Sequence, residues 1–164
     1  MGQRERILRE FFENPNKEFQ IRALSRLTKV PKTTTARLLV QLQKEGIIKH
    51  VKAFRANESS SKYRNLKKIM FLQELYDSGL VDELEEMNPR CIFLFGSFAK
   101  GEYGKESDID IFLQTAQKNI NLDKYEKKFK HPIHLTFEQD ITKLTKELLN
   151  NIINGIKLAG HIRT

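Results

Sequence analysis

The chain has 164 residues, of which 39% are hydrophobic and 30% charged, with a formal net charge of +8. That composition fits a soluble globular protein with room for one ordinary domain or two small ones, and its single cysteine, Cys91, excludes an internal disulfide framework and suits a reducing cytosol. No apolar run approaches a membrane span and Met1 to Arg6 lacks the apolar core of a signal peptide, so a cytoplasmic location with no membrane contact is expected.

Charge divides the chain. Residues 1–70 carry 17 Lys and Arg against 6 Asp and Glu, a net +11, whereas residues 71–164 carry 12 against 15, a net −3. A basic half joined to a mildly acidic half predicts two domains with different partners, the first drawn to phosphate backbones. Arg4 to Glu13 reads as a helix with Ile7, Leu8, Phe11 and Phe12 on one face, and Asn14-Pro15-Asn16 breaks it. Phe19 to Leu27 reads as a second helix with Ile21, Leu24 and Leu27 inward, followed by a turn and cap at Val30-Pro31-Lys32-Thr33. Thr34 to Glu45 is a third, with Leu38, Leu39 and Leu42 inward and Gly46 as its stop. Ile47 to Arg55 alternates as a strand or hairpin arm does.

Three short helices followed by such an arm resemble a winged helix-turn-helix domain. The resemblance implies double-stranded DNA as a partner. The third helix would offer Lys32, Thr33, Thr34, Thr35 and Arg37 to a major groove, and Lys49, Lys52 and Arg55 would contact phosphates from the wing. A basic helical module that contacts protein or RNA is the plainer reading of the same pattern.

Asn57 to Lys62 is polar and reads as a linker. Tyr63 to Ser78 is a strong helix whose apolar surface includes Leu66, Ile69, Met70, Leu72, Leu75 and Tyr76, with Gly79 as its stop. A helix so apolar packs on its own chain or on a second copy, which would make a homodimer. Leu80 to Met87 is a further short helix. The expected division is therefore 1–56 for the basic domain, 57–79 for the linker and connecting helix, and 80–164 for the second domain.

The second domain opens on Phe93-Leu94-Phe95-Gly96-Ser97-Phe98-Ala99-Lys100-Gly101, and Ser107-Asp108-Ile109-Asp110-Ile111-Phe112 follows. Cys91 to Phe95 is short, apolar and aromatic, as a buried strand is. Gly96 lets the backbone turn sharply and approach a ligand closely, and Ser97 stands where a helix could start beside free N–H groups. Along the next strand, Asp108 and Asp110 project together from one face, with Ile109, Ile111 and Leu113 on the other. Paired carboxylates repel each other unless a cation neutralises them, and oxygen-only ligands favour Mg²⁺ or Mn²⁺ over zinc.

Gly96-Ser97, the loop beyond it and Asp108-Ile109-Asp110, with Ala99, Gly101 and Ser107 in step, resemble the motif of the DNA polymerase β-type nucleotidyltransferase superfamily, in its minimal nucleotidyltransferase branch. The resemblance covers about the second half of the chain. It implies an α+β protein in which the basic domain precedes a small α/β nucleotidyltransferase-like domain with a mixed sheet. It also implies a nucleoside triphosphate as substrate, held at Gly96, Ser97 and Ser107, and a Mg²⁺ or Mn²⁺ cofactor on Asp108 and Asp110. The activity would be transfer of a nucleoside monophosphate, AMP from ATP, to an acceptor hydroxyl. Lys100 or Lys105 could add a phosphate contact, although a solvated loop lysine is the plainer reading of each. Relatives of this type can act as antitoxins that transfer AMP to a partner toxin, which would make the acceptor a protein.

The family places a third carboxylate on a neighbouring strand, and the matching strand here is Pro132 to Phe137. Ile133, Leu135 and Phe137 share one face; His134, Thr136 and Glu138 share the other. His134 or Thr136 therefore stands where the carboxylate is expected, with Glu138 of the right parity at the strand end. A histidine there could bind a metal, serve as a base, or be a partly exposed strand residue. The departure leaves a second reading open: a DNA-binding regulator whose second domain only binds nucleotide or dimerises. Asn121 to Lys130 reads as an amphipathic helix with Leu122, Tyr125 and Phe129 inward. Asp140 is expected to cap a long helix with Ile141, Leu144, Leu148, Ile152 and Ile156 in its stripe, and Lys157 to Thr164 to form a short tail.

Overall fold

In the computed structural model, which describes residues 2–161, the chain divides into one unit ending at Lys67 and another beginning at Lys68. The first unit has helices α1 (Gln3–Glu13), α2 (Ile21–Thr28) and α3 (Lys32–Lys44), then a hairpin of β1 (Ile48–His50) and β2 (Phe54–Ala56). The hairpin is antiparallel, pairing Ile48 with Ala56 and Lys49 with Arg55. Ile7, Leu8, Phe11, Leu24, Leu39 and Leu42 are buried, as helical periodicity requires.

Two expectations for this unit change. The second helix starts at Ile21, because Phe19 pairs its backbone with Phe54 on β2: the Phe19 N–H donates to the Phe54 carbonyl at 2.8 Å, and the Phe54 N–H donates back at 3.0 Å. Leu27, expected inward, is 52% exposed, because the buried face of the helix runs through Leu24 and Thr28, four residues apart, and leaves Leu27 beside it.

Helix α4 (Ser61–Asp77) buries Tyr63, Lys67, Phe71 and Leu75 at a spacing of four. The first two belong to the N-terminal unit. Tyr63 Oη donates to the Phe11 carbonyl at 2.8 Å, and Lys67 Nζ donates to the Phe12 carbonyl at 2.8 Å. These carbonyls lie in the last turn of α1, which the helix itself leaves unpaired. Ile69 and Tyr76, expected within the apolar surface, are 63% and 45% exposed.

The second unit continues with α5 (Leu80–Glu85), β3 (Cys91–Phe95), α6 (Gly96–Lys100), β4 (Ile109–Leu113), α7 (Asp123–Phe129), β5 (Ile133–Phe137), a 3₁₀ turn at Ile141–Lys143, α8 (Lys146–Ile153) and β6 (Ile156–Gly160). Its sheet has the order β5-β4-β3-β6. Strands β4 and β5 run parallel, with α7 in the crossover a parallel pair requires, and the other pairs are antiparallel, so the sheet is mixed as expected. Cys91, Phe93 and Phe95 pack with Phe112, Ile141 and Ile152 on one face, supported by Leu144, Leu148 and Leu149.

The expected long helix after Asp140 does not form. Asp140 caps only the 3₁₀ turn, accepting the Thr142 N–H, and Thr145 begins a new helix by accepting the Leu148 N–H. The supposed tail is strand β6, and Ile156 belongs to it. At the turn between them, a Cβ on Gly155 would stand 2.3 Å from the Leu94 carbonyl oxygen, so glycine admits the close approach that brings β6 onto β3. Residues 162–164 of the expected tail lie outside the described residues. Among the described residues no helix is long and apolar enough to cross a membrane.

Candidate nucleotide and metal site

Strand β3 ends at Phe95, which pairs with Asp110 on β4. Gly96 follows at φ +70°, and a Cβ placed on it would stand 2.3 Å from Asp110 Oδ2. The glycine meets two needs: a left-handed backbone and room for the Asp110 carboxylate. It is a cradle shaped around that side chain.

The short helix α6 then carries Ser97, partly exposed, and Lys100, exposed. Phe98, an unassigned position within the motif, is buried. Its ring stacks on Tyr103 with centroids 3.9 Å apart and planes 4° from parallel, and His131 meets it edge-on at 5.0 Å. His131 Nδ1 donates to the Ser107 carbonyl at 2.7 Å. The Ser107 hydroxyl accepts the Gly104 N–H at 2.9 Å, and the Ser107 N–H donates to the Gly104 carbonyl at 3.0 Å. Aromatic packing and these bonds fix the loop that delivers Asp108 to the start of β4. Lys105 in the same loop is exposed.

Asp108 and Asp110 are 41% and 31% exposed at the side chain. Burial pushes the Asp110 carboxyl above the usual carboxylate range; nearby His134 opposes this and Asp108 adds to it. Directly across the parallel register from Asp110 stands His134. Its Nδ1 lies 3.7 Å from Asp108 Oδ2 and 4.0 Å from Asp110 Oδ1. Thr136 is two positions further along, opposite Phe112. Glu138 Oε1 accepts the Asp140 N–H at 2.9 Å, at the strand's far end. The fold thus brings Gly96, Asp108, Asp110 and His134 together.

As the side chains stand, no group of three or more His, Cys, Asp or Glu among the described residues closes around one point. Two carboxylates two residues apart, with the cradle keeping Asp110 in place, are the donor type that a hard divalent cation takes.

Of the residues expected at a DNA surface, Lys32, Thr33, Arg37 and Lys52 are exposed, and Thr34, Lys49 and Arg55 are half-buried. Thr35 is the correction. It is fully buried, and its hydroxyl lies 3.2 Å from the Val30 carbonyl and 3.1 Å from the Pro31 carbonyl. It ties α3 to the turn before it and cannot face a groove.

The family model described as "Polymerase beta, Nucleotidyltransferase" matches residues 80–161, half of the chain. No curated protein and no solved structure matches.

Proposed function

The chain belongs to the polymerase beta nucleotidyltransferase family, and from that premise we propose that it transfers a nucleoside monophosphate, AMP from ATP, to an acceptor hydroxyl. The observation that carries this reading is the fit of the Asp110 carboxylate into space that only glycine leaves at position 96. It sets the Asp110 carboxylate beside the Gly96-Ser97 turn, with Asp108 two residues before it in the chain. Gly96 and Ser97 bind the β- and γ-phosphates, the Ser107 loop orders the site's edge, and Lys100 supplies a screened charge to the phosphates. Asp108 and Asp110 hold Mg²⁺ or Mn²⁺, which supplies charge neutralisation at the transferring phosphate. The acceptor oxygen forms a bond to the α-phosphorus, the bond to the β-phosphate oxygen breaks, pyrophosphate leaves, and the acceptor proton passes to solvent.

The N-terminal unit is proposed as a winged helix-turn-helix that binds double-stranded DNA through Lys32, Thr33, Thr34 and Arg37 on α3 and through Lys49, Lys52 and Arg55 on the hairpin. The +11 charge of residues 1–70 supports this reading. An antitoxin-like role would make the acceptor a protein, and the exposed Ile69 and Tyr76, one heptad apart on α4, support a homodimer. One observation favours a second reading, a regulator that binds nucleotide without transferring it: the residue across the register from Asp110 is His134 and not a carboxylate.

The test is transfer of label from ATP marked at the α-phosphorus to protein, with Mg²⁺ or Mn²⁺, by the full chain and by Asp108→Asn/Asp110→Asn. Transfer by the wild type alone is expected. Equal labelling by the double variant would remove the assignment, and nucleotide binding without transfer would select the second reading.

A further inference from the structure

Building on Asp108 and Asp110 as cation ligands, we propose that His134 is the third side-chain ligand and makes the site select a manganese-class ion over Mg²⁺. The placement is a property of the sheet. Parallel pairing sets His134 opposite Asp110, and its ring nitrogen is 3.7 and 4.0 Å from the nearest oxygen of each aspartate. Ligands at ~2.1 Å from a shared ion stand about 3 Å from their neighbours, so each of these two separations exceeds a co-ligand spacing by about 1 Å or less, and the three side chains do not close on one point as they stand. The His134 side chain is 64% exposed, so a small rotation meets little packing. No other residue on that strand face competes. Thr136 lies further along the register, and the Glu138 carboxylate is engaged by the Asp140 amide.

The donor chemistry decides the ion. Mg²⁺ takes oxygen ligands and gives up water reluctantly. Imidazole nitrogen binds first-row transition ions better, while carboxylate, phosphate and water oxygens still suit Mn²⁺. Replacing a third carboxylate by neutral imidazole also removes one negative charge from the donor set, which weakens the site most for an ion held mainly by charge. Two carboxylates and one nitrogen therefore favour Mn²⁺.

The experiment uses the full chain with Mn²⁺ and inorganic tripolyphosphate, which contains no nitrogen. Pulsed electron paramagnetic resonance reads coupling between bound Mn²⁺ and a histidine nitrogen, and competition with Mg²⁺ gives the affinity ratio. Nitrogen coupling is expected in the wild type and absent in His134→Ala and His134→Asp. His134→Ala should weaken Mn²⁺ binding at least tenfold, on the scale of ~10–100-fold seen when a metal site loses a supporting group. His134→Asp restores an all-oxygen set and should shift the ratio toward Mg²⁺ by about tenfold or more. Bound Mn²⁺ without nitrogen coupling, coupling that survives in His134→Ala, or an unchanged ion ratio in His134→Asp would overturn the role of His134 and leave the two aspartates standing. Failure of the wild type to bind either ion would overturn both.

Discussion

The two units hold their candidate residues in opposite ways. In the C-terminal unit, each group is placed by backbone: Asp110 by its pairing with Phe95 and the space at Gly96, His134 by the parallel register, Asp108 by a loop anchored through Tyr103 and Ser107. In the N-terminal unit, Lys32, Arg37 and Lys52 are exposed side chains, and what unites them is charge. A site fixed by backbone tolerates almost no change of shape. A charged surface loses function in proportion to the charge removed.

The sharpest way to break that comparison is Gly96→Ala. The added Cβ would collide with Asp110 Oδ2, and the left-handed backbone adds a strain of about 1–2 kcal/mol. Transfer of label from ATP should slow by ~100-fold or more, the order of loss caused by misplacing a reacting group by about 1 Å, while DNA binding is unchanged. Next in size is Lys32→Glu/Arg37→Glu. Affinity for duplex DNA should fall by roughly 10-fold or more, with the salt dependence flattened by about two phosphate contacts and ATP binding unaltered. A salt titration of the binding isotherm checks this, and unchanged affinity would remove α3 as the DNA-facing helix.

Lys67 gives the third prediction. Burial lowers its pKa to about 8, against the smaller opposing pull of Glu13 and Glu58. The folded form therefore sheds this proton before the unfolded form does, and stability rises with pH between about 8 and the ordinary lysine range. Thermal melts at pH 7 and pH 9 should show the N-terminal unit gaining stability, and Lys67→Met should abolish that gain. Tyr63 acts the other way. Its hydroxyl is pushed well above the usual tyrosine range, chiefly by burial and then by Glu58 and Glu13, so the gain should reverse above about pH 10 as unfolded tyrosine ionises.

The smallest effect belongs to Thr35→Val. It removes a buried hydroxyl shared between two carbonyls and should cost about 1 kcal/mol in denaturant unfolding. DNA affinity should not change. A loss of affinity at unchanged stability would return Thr35 to the DNA surface.

The placement of Asp110 beside Gly96 was legible because glycine, alternation and paired carboxylates each constrain a strand locally. Its partner strand was legible for the same reason, which put His134, Thr136 and Glu138 on one face before any register was known. Register was needed to choose among them. Strand β6 was hidden because Ile141, Leu144, Leu148, Ile152 and Ile156 recur at helical spacing while belonging to a turn, a helix and a strand in succession. The breaks lie at Thr145, which caps, and at Gly155, which passes close to β3. Lys67 was hidden because a charge in the stripe of Tyr63, Phe71 and Leu75 reads as solvated. Its partner, the end of α1, is more than 50 residues away in sequence.

The most direct test of the central claim is calorimetric titration of ATP into the full chain with Mg²⁺ or Mn²⁺, without divalent cation, and again with Asp108→Asn/Asp110→Asn. Cation-dependent binding that disappears in the double variant is the predicted result. Binding of equal strength without the cation, or in the double variant, would contradict the claim that these two aspartates hold the metal and its nucleotide.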